Sequence, residues 1–277
     1  MRASVFAPFS LLLLSALACS PAPPEPATGA PATACVAKSE VGVLIMHGKL
    51  GRPDSYVAPL VKALRDEGYL VKADEMPWSQ KRRFDKTVDE SMAEIDAAVE
   101  SLRQQGARRV VVGGHSLGGA ATLRYGATRT GIAGLLLVAP GFNPETSYFQ
   151  GIVASAVQKA RAALDAGRGD QSDTYTDIDN DGGAVALVTR ARTYLDWYGA
   201  SSTISMSRNA PAVAPGPAVL WILASGDAAY LRNNSRDWYG RIPPNPQSRY
   251  VLLEATHIAA PAAAVDHVKA WLDRLCR

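Results

Sequence analysis

The chain has 277 residues, 47% of them hydrophobic, and a formal net charge of +3. That length suits one ordinary domain with additions rather than two, and the apolar content suffices for a sizeable core, so disorder is not the default reading. The charge is dispersed: the longest basic run, Lys81-Arg82-Arg83, is broken at once by Phe84-Asp85, so the broad basic face that nucleic-acid binding needs is absent. There is no internal repeat and no zinc-type spacing of Cys and His, so neither a metal nor a cofactor is predicted.

In chain order the first element is an export signal, assigned to residues 1–18. Arg2 supplies a positive start, and Val5 to Leu17 is an apolar run ending in small residues, too short to span a membrane comfortably. Ala16-Leu17-Ala18-Cys19 resembles the end of a bacterial lipoprotein signal, in which Cys19 would carry the lipid and be the sole membrane attachment. Plain cleavage near Ala18, giving a free periplasmic or secreted protein, is the alternative. Residues 19–36, rich in Pro and Ala, read as an extended tether, and the domain as 37–277. With Cys19 lipidated, Cys35 and Cys276 remain at the two edges of the domain. In an oxidising compartment such an even pair predicts one disulfide, against two free thiols.

From Val41 onward, short apolar runs alternate with amphipathic stretches, the pattern of an α/β domain with a mainly parallel sheet covered on both faces. Six strands are predicted: Val41 to Met46, Tyr69 to Ala73, Arg109 to Gly113, Gly134 to Val138, Ala218 to Ala224 and Tyr250 to Glu254. Helices are predicted over Tyr56 to Arg65, Thr87 to Gln105, from Ser116 onward, and over Ala262 to Cys276. Between Phe142 and Pro217 the pattern breaks. This insertion is expected to be a helical cap, with helices near Val153 to Ala166 and Leu187 to Tyr198 joined by a polar loop. It falls between two strands, on the side where open α/β sheets bind ligands.

The chemistry centres on Gly114-His115-Ser116-Leu117-Gly118, set between three valines and a helix. A serine presented on a sharp strand-to-helix turn needs small neighbours, and Gly114 and Gly118 provide the room, widened by Gly113 and Gly119. The helix start also turns free N–H groups toward the reacting centre. Together, Gly113 to Ala120 and His47-Gly48 resemble the α/β-hydrolase superfamily, over essentially the whole of Val41 to Arg277. The resemblance implies a minimal α/β-hydrolase fold, Ser116 as nucleophile, and an oxyanion hole formed by the backbone N–H groups of Leu117 and Lys49. His47 is expected to brace that turn structurally, beside Gly48.

A serine nucleophile needs a base, and a histidine base needs a carboxylate to orient it. Of the four histidines, His47 and His115 are placed in the turns above, and His267 lies within the terminal helix. His257 follows the last strand, where the superfamily places its base. Asp227 follows Ala218 to Ala224 through Ser225-Gly226 and resembles the family acid, with Asp237 and Glu254 in reserve. Asp177-Ile178-Asp179-Asn180-Asp181-Gly182 opens like a calcium loop, but Val188 stands where Glu is required, so a solvated loop is expected. Trp78, Trp197 and Tyr198 are candidates either for the pocket or for ordinary packing.

These parts point to hydrolysis of a small carboxylic ester through an acyl-enzyme. Peptide, lactone or thioester cleavage and acyl transfer use the same groups. A surface-anchored binding protein without turnover is the reading from another class. Oligomeric state is left open.

Overall fold

The computed structural model describes residues 1, 36–179 and 182–275. Cys19, Cys35 and Cys276, the export signal after Met1, and the tether as far as Cys35 therefore lie outside the described residues. The elements in order are β1 (Val41–Met46), α1 (Ala58–Asp66), β2 (Leu70–Lys72), α2 (Val88–Gln104), β3 (Arg109–His115) and α3 (Leu117–Thr128). They continue with β4 (Gly134–Val138), α4 (Ser147–Asp165), β5 (Ser172–Ile178), β6 (Ala184–Arg190), α5 (Ala191–Tyr198) and α6 (Met206–Asn209). The last are β7 (Ala218–Gly226), α7 (Ala229–Gly240), β8 (Arg249–Thr256), α8 (Ala260–Ala263) and α9 (Val265–Leu275).

Six strands form one parallel sheet in the order β2-β1-β3-β4-β7-β8, with helices around it, the α/β-hydrolase fold. β1 and β4 are buried along their whole length, because a parallel sheet is covered on both faces. Alternate residues go to opposite cores. Leu44, Met46, Val110, Val112, Leu135 and Leu137 face one, with α2 and α3. Val43, Ile45, Val111, Leu136 and Val138 face the other, with α1 and α9. α2 begins with a capping box: Thr87 Oγ1 accepts from Glu90 N at 3.3 Å, and Thr87 N donates to Glu90 Oε2 at 2.8 Å. Its Met92, Ile95, Val99 and Leu102 are buried in the spacing of one helical face. The chain passes from β1 to β2 on one side and then returns to β3 on the other. The carboxyl ends of β1 and β3 therefore flank a topological switch point.

The segment between β4 and β7 departs from expectation. The predicted polar loop is an antiparallel hairpin, β5 with β6, registered Tyr175↔Leu187 and Asp177↔Val185. The second helix starts at Ala191, with Leu187 in β6 rather than in the helix. Tyr175, Asp177 and Ile178 are buried on β5, and Leu187 and Thr189 on β6, a mixture of polar and apolar side chains whose alternation is easily read as loop. Tyr175 stacks on Tyr194, and Tyr194 on Tyr198, each at 4.5 Å between centroids, which fastens the hairpin to α5. A second difference is α7, which buries Leu231, Ser235 and Trp238 at helical spacing although most of its residues are polar. Among the described residues no helix is long and apolar enough to cross a membrane.

Candidate active site

Ser116 sits between β3 and α3 with φ 55° and ψ −120°, a conformation disfavoured for any side-chain-bearing residue. The local glycines make it possible. A Cβ on Gly114 would lie 2.5 Å from the Gly118 carbonyl carbon, and one on Gly118 would lie 2.6 Å from the Met46 carbonyl oxygen. The turn is held by Ser116 N donating to Val138 O at 3.1 Å and Gly141 N donating to Ser116 O at 3.0 Å. The strained serine is thus pinned to β4 on one side and to the residues after β4 on the other.

The structure brings Ser116, His257 and Asp227 together. His257 Nε2 lies 2.9 Å from Ser116 Oγ, and His257 Nδ1 lies 2.5 Å from Asp227 Oδ1. The Asp227 side chain is fully buried while that of His257 remains partly exposed. Asp227 Oδ2 accepts from Ala224 N at 2.9 Å, so the carboxylate is fixed at both oxygens. A register shift between β7 and β8 at Ala224/Gly226 turns the chain at this strand end, as bulges do where a side chain must be re-aimed. The reserve acids are engaged elsewhere: Glu254 accepts from Ser225 Oγ at 3.1 Å, and Asp237 pairs with Arg241 at 2.7 Å. His267 is exposed on α9.

The other two histidines are buried braces. Met76 N donates to His47 Nε2 at 3.1 Å, and His47 Nδ1 donates to Gly48 O at 2.8 Å, which fixes one neutral tautomer. Burial holds His47 below the usual histidine range, despite the Gly48 hydrogen bond and nearby Glu75. His115 Nε2 donates to His257 O at 2.9 Å, so the variable position of the elbow steadies the loop that carries His257. Burial, reinforced by the neighbouring His257, pushes His115 down to about 3.

Gly48 and Lys49 lie over the elbow; a Cβ on Gly48 would be 3.0 Å from that of Ser116. The Lys49 side chain reaches into the β5–β6 hairpin, where Nζ donates to Asp177 Oδ1 at 2.7 Å and to Ile178 O. Asp177 Oδ1 also accepts from Tyr198 Oη at 2.7 Å. The expected solvated loop is therefore corrected at its first residue: Asp177 is fully buried and ion-paired, because the hairpin alternation turns it inward. Asp179 Oδ1 accepts from Gly183 N at 2.6 Å within the turn, and Asn180 and Asp181 lie outside the described residues. Among the described residues no cluster of His, Cys, Asp and Glu is arranged to hold a metal ion.

A cavity of about 410 Å³ opens beside Ser116 and His257, walled by Leu117, Phe142, Phe149 and Leu231. Trp78, Trp197 and Tyr198 do not line it. They are fully buried in an aromatic cluster behind it, with Phe84 5.2 Å from Trp197 and Phe142 5.4 Å from Tyr198. The cavity residues Asn143 and Phe149 fall at the start of the insertion that opens at Phe142, and no local pattern in the sequence singles them out.

The family model described as Serine aminopeptidase, S33, matches residues 37–258. The chain belongs to this family of α/β hydrolases. Among solved structures it is similar to an enzyme from a study of LipS and LipT, metagenome-derived lipolytic enzymes, at 19% identity and TM-score 0.59, covering 86% of this chain and 94% of that one. It is also similar to Est1E from Butyrivibrio proteoclasticus at 17% identity and TM-score 0.57, over 86% and 89% of the two chains. The siderophore hydrolase EstB from Aspergillus fumigatus gives 14% identity and TM-score 0.59, over 88% and 93%. At such identities the likeness is one of fold. No curated protein sequence shows significant similarity.

Proposed function

We propose that the chain hydrolyses a small carboxylic ester through an acyl-enzyme formed on Ser116. The observation that carries the reading is one imidazole bridging a strained serine and a buried carboxylate, at 2.9 and 2.5 Å. His257 Nε2 takes the Ser116 proton as Oγ attacks the carbonyl carbon, while Asp227 stabilises the imidazolium through Nδ1–H. The Leu117 and Lys49 N–H groups receive the negative charge on the former carbonyl oxygen; loss of one such donor costs about 3–4 kcal/mol in the barrier. His257 then protonates the departing alcohol. In the second half it deprotonates water, which attacks the acyl carbon and releases the acid and free Ser116.

The esterase and lipase names among the fold relatives favour ester substrates, whereas the family description favours a second reading, cleavage of a peptide bond after an N-terminal residue. A fluorophosphonate probe tests the nucleophile: the wild type labels and Ser116→Ala does not. Chromogenic esters of graded chain length, run beside aminoacyl p-nitroanilides, separate the two readings. Faster turnover of anilides than of every ester would overturn the ester assignment. We further propose that the protein is exported and anchored through lipid on Cys19, with Cys35 and Cys276 joined. Intact mass before and after reduction checks both modifications.

A further inference from the structure

Asn143 is the one cavity residue whose burial has no evident structural return. It is 8% exposed and lines the 410 Å³ cavity with Ser116 and His257, yet its Oδ1 is buried without a hydrogen-bond partner among the described residues. Buried amide oxygens are nearly always paired, and an orphan in a cavity wall calls for an explanation. Its position is firmly set. Asn143 O accepts from Thr146 N at 3.2 Å and from Thr146 Oγ1 at 3.1 Å at the start of α4. Two residues earlier, Gly141 N is bonded to Ser116 O, and a Cβ there would be only 3.8 Å from Ser116 Oγ. Phe142 between them is held at φ 114°, a conformation a phenylalanine adopts only when its surroundings impose it. The same backbone thus fixes Asn143 relative to the nucleophile. The apolar part of the cavity is formed by Leu117, Phe142, Phe149 and Leu231, with Phe142 and Phe149 edge to face at 5.2 Å, and Thr146, Tyr148, Asp179 and Tyr230 supply polar wall elsewhere.

Resting on the ester-hydrolase reading, we propose that Asn143 is a specificity-determining residue. With the amide turned about its terminal torsion toward the cavity, Oδ1 accepts a hydrogen bond from a hydroxyl or N–H on an otherwise apolar, flat substrate group lodged between Phe142, Phe149 and Leu231. A plain hydrocarbon group of the same shape fills the cavity but leaves the oxygen unpaired. The site then discriminates against it, because an unmet buried acceptor costs more than the bond itself returns.

Two series of esters test this, one for each side of the scissile bond. The first is the methyl esters of 3-phenylpropanoic acid and its three ring-hydroxyl isomers. The second is the acetates of 2-phenylethanol and its ring-hydroxyl isomers, and methoxy analogues serve as controls in both. In the wild type at least one hydroxyl isomer of one series should exceed its parent in kcat/KM by about ten-fold, with no gain for the methoxy analogue. Asn143→Leu should abolish the ratio while still hydrolysing the parent ester, and Asn143→Asp, which retains an acceptor at that position, should keep it. A wild type without hydroxyl preference in either series overturns the role of Asn143, as does a preference that survives in Asn143→Leu. If wild type and Ser116→Ala treat all the esters alike, the ester-hydrolase reading itself falls, which is a separate and recognisable failure.

Discussion

Replacing Lys49 with Met removes half of an ion pair whose other half cannot reach water. The Asp177 side chain is fully buried and that of Lys49 is 12% exposed. Three donors converge on Asp177 Oδ1, namely Lys49 Nζ, Tyr198 Oη and Ile178 N, each at 2.7 Å, and only the lysine carries charge. Asp177 Oδ2 has no hydrogen-bond partner among the described residues, so the carboxylate holds no reserve against loss of the ammonium. Leaving a buried charge uncompensated costs about 3–5 kcal/mol. In a domain of this size that is a fall in Tm of roughly 6–20 °C. Met preserves the length and most of the apolar stem, so the loss is electrostatic rather than one of packing. Differential scanning calorimetry of wild type, Lys49→Met and the double variant Lys49→Met/Asp177→Leu is the assay. Removing both charges should recover part of the loss, because the apolar pair has no charge to desolvate, but not all of it, since Tyr198 Oη and Ile178 N lose their buried acceptor. A single variant within about 2 °C of wild type would refute the reasoning, since it would mean that the pair contributes as little as a surface one.

Three further outcomes follow from the site. Gly114→Ala places a Cβ 2.5 Å from backbone that cannot yield without moving the elbow, so the variant should lose probe labelling and melt lower, by labelling gel and calorimetry. Asp227→Asn keeps the shape but removes the charge that supports the imidazolium. Ester turnover should fall by about 10⁴-fold at unchanged Tm, measured by initial rates on a chromogenic ester. The third concerns acid. His115 is held neutral down to about pH 3 in the fold, while the unfolded chain takes up that proton below its ordinary value of about 6.5. The stability it contributes is therefore intact above pH 6.5 and drains away toward pH 3, at no more than about 1.4 kcal/mol per pH unit, with buried His47 acting in the same direction. Urea midpoints at pH 7.5 and 5 should differ less for His115→Gln, whose amide can still donate to His257 O, than for wild type; equal differences would contradict the argument.

The division between sequence and structure is physical. The inner sheet strands were legible because a parallel sheet buried on both faces writes itself as uninterrupted apolar runs, as in Val41–Met46 and Gly134–Val138, while the half-buried edge strands β2 and β8 carry shorter or mixed runs. The elbow was legible because its strain is local and demands glycine within two residues of Ser116. Ser116, Asp227 and His257 could be named in advance because each follows a strand at the place where the resemblance to the superfamily puts nucleophile, acid and base. The hairpin β5–β6 was not legible, because its buried residues, Tyr175, Asp177 and Ile178 on one strand and Leu187 and Thr189 on the other, mix polar with apolar while Val185 and Val188 stay exposed, so no clean alternation stands out. What makes Asp177 an interior residue is Lys49, 128 positions away, and a pairing at that separation leaves no periodicity to read. The polar helix α7 was hidden for the same reason, its three buried residues being justified only by what they pack against. Local backbone demands and sheet burial are thus carried by the sequence itself. Which polar groups become buried partners, and which atoms, such as Asn143 Oδ1 beside the nucleophile, are buried without one among the described residues, was decided only when distant segments met.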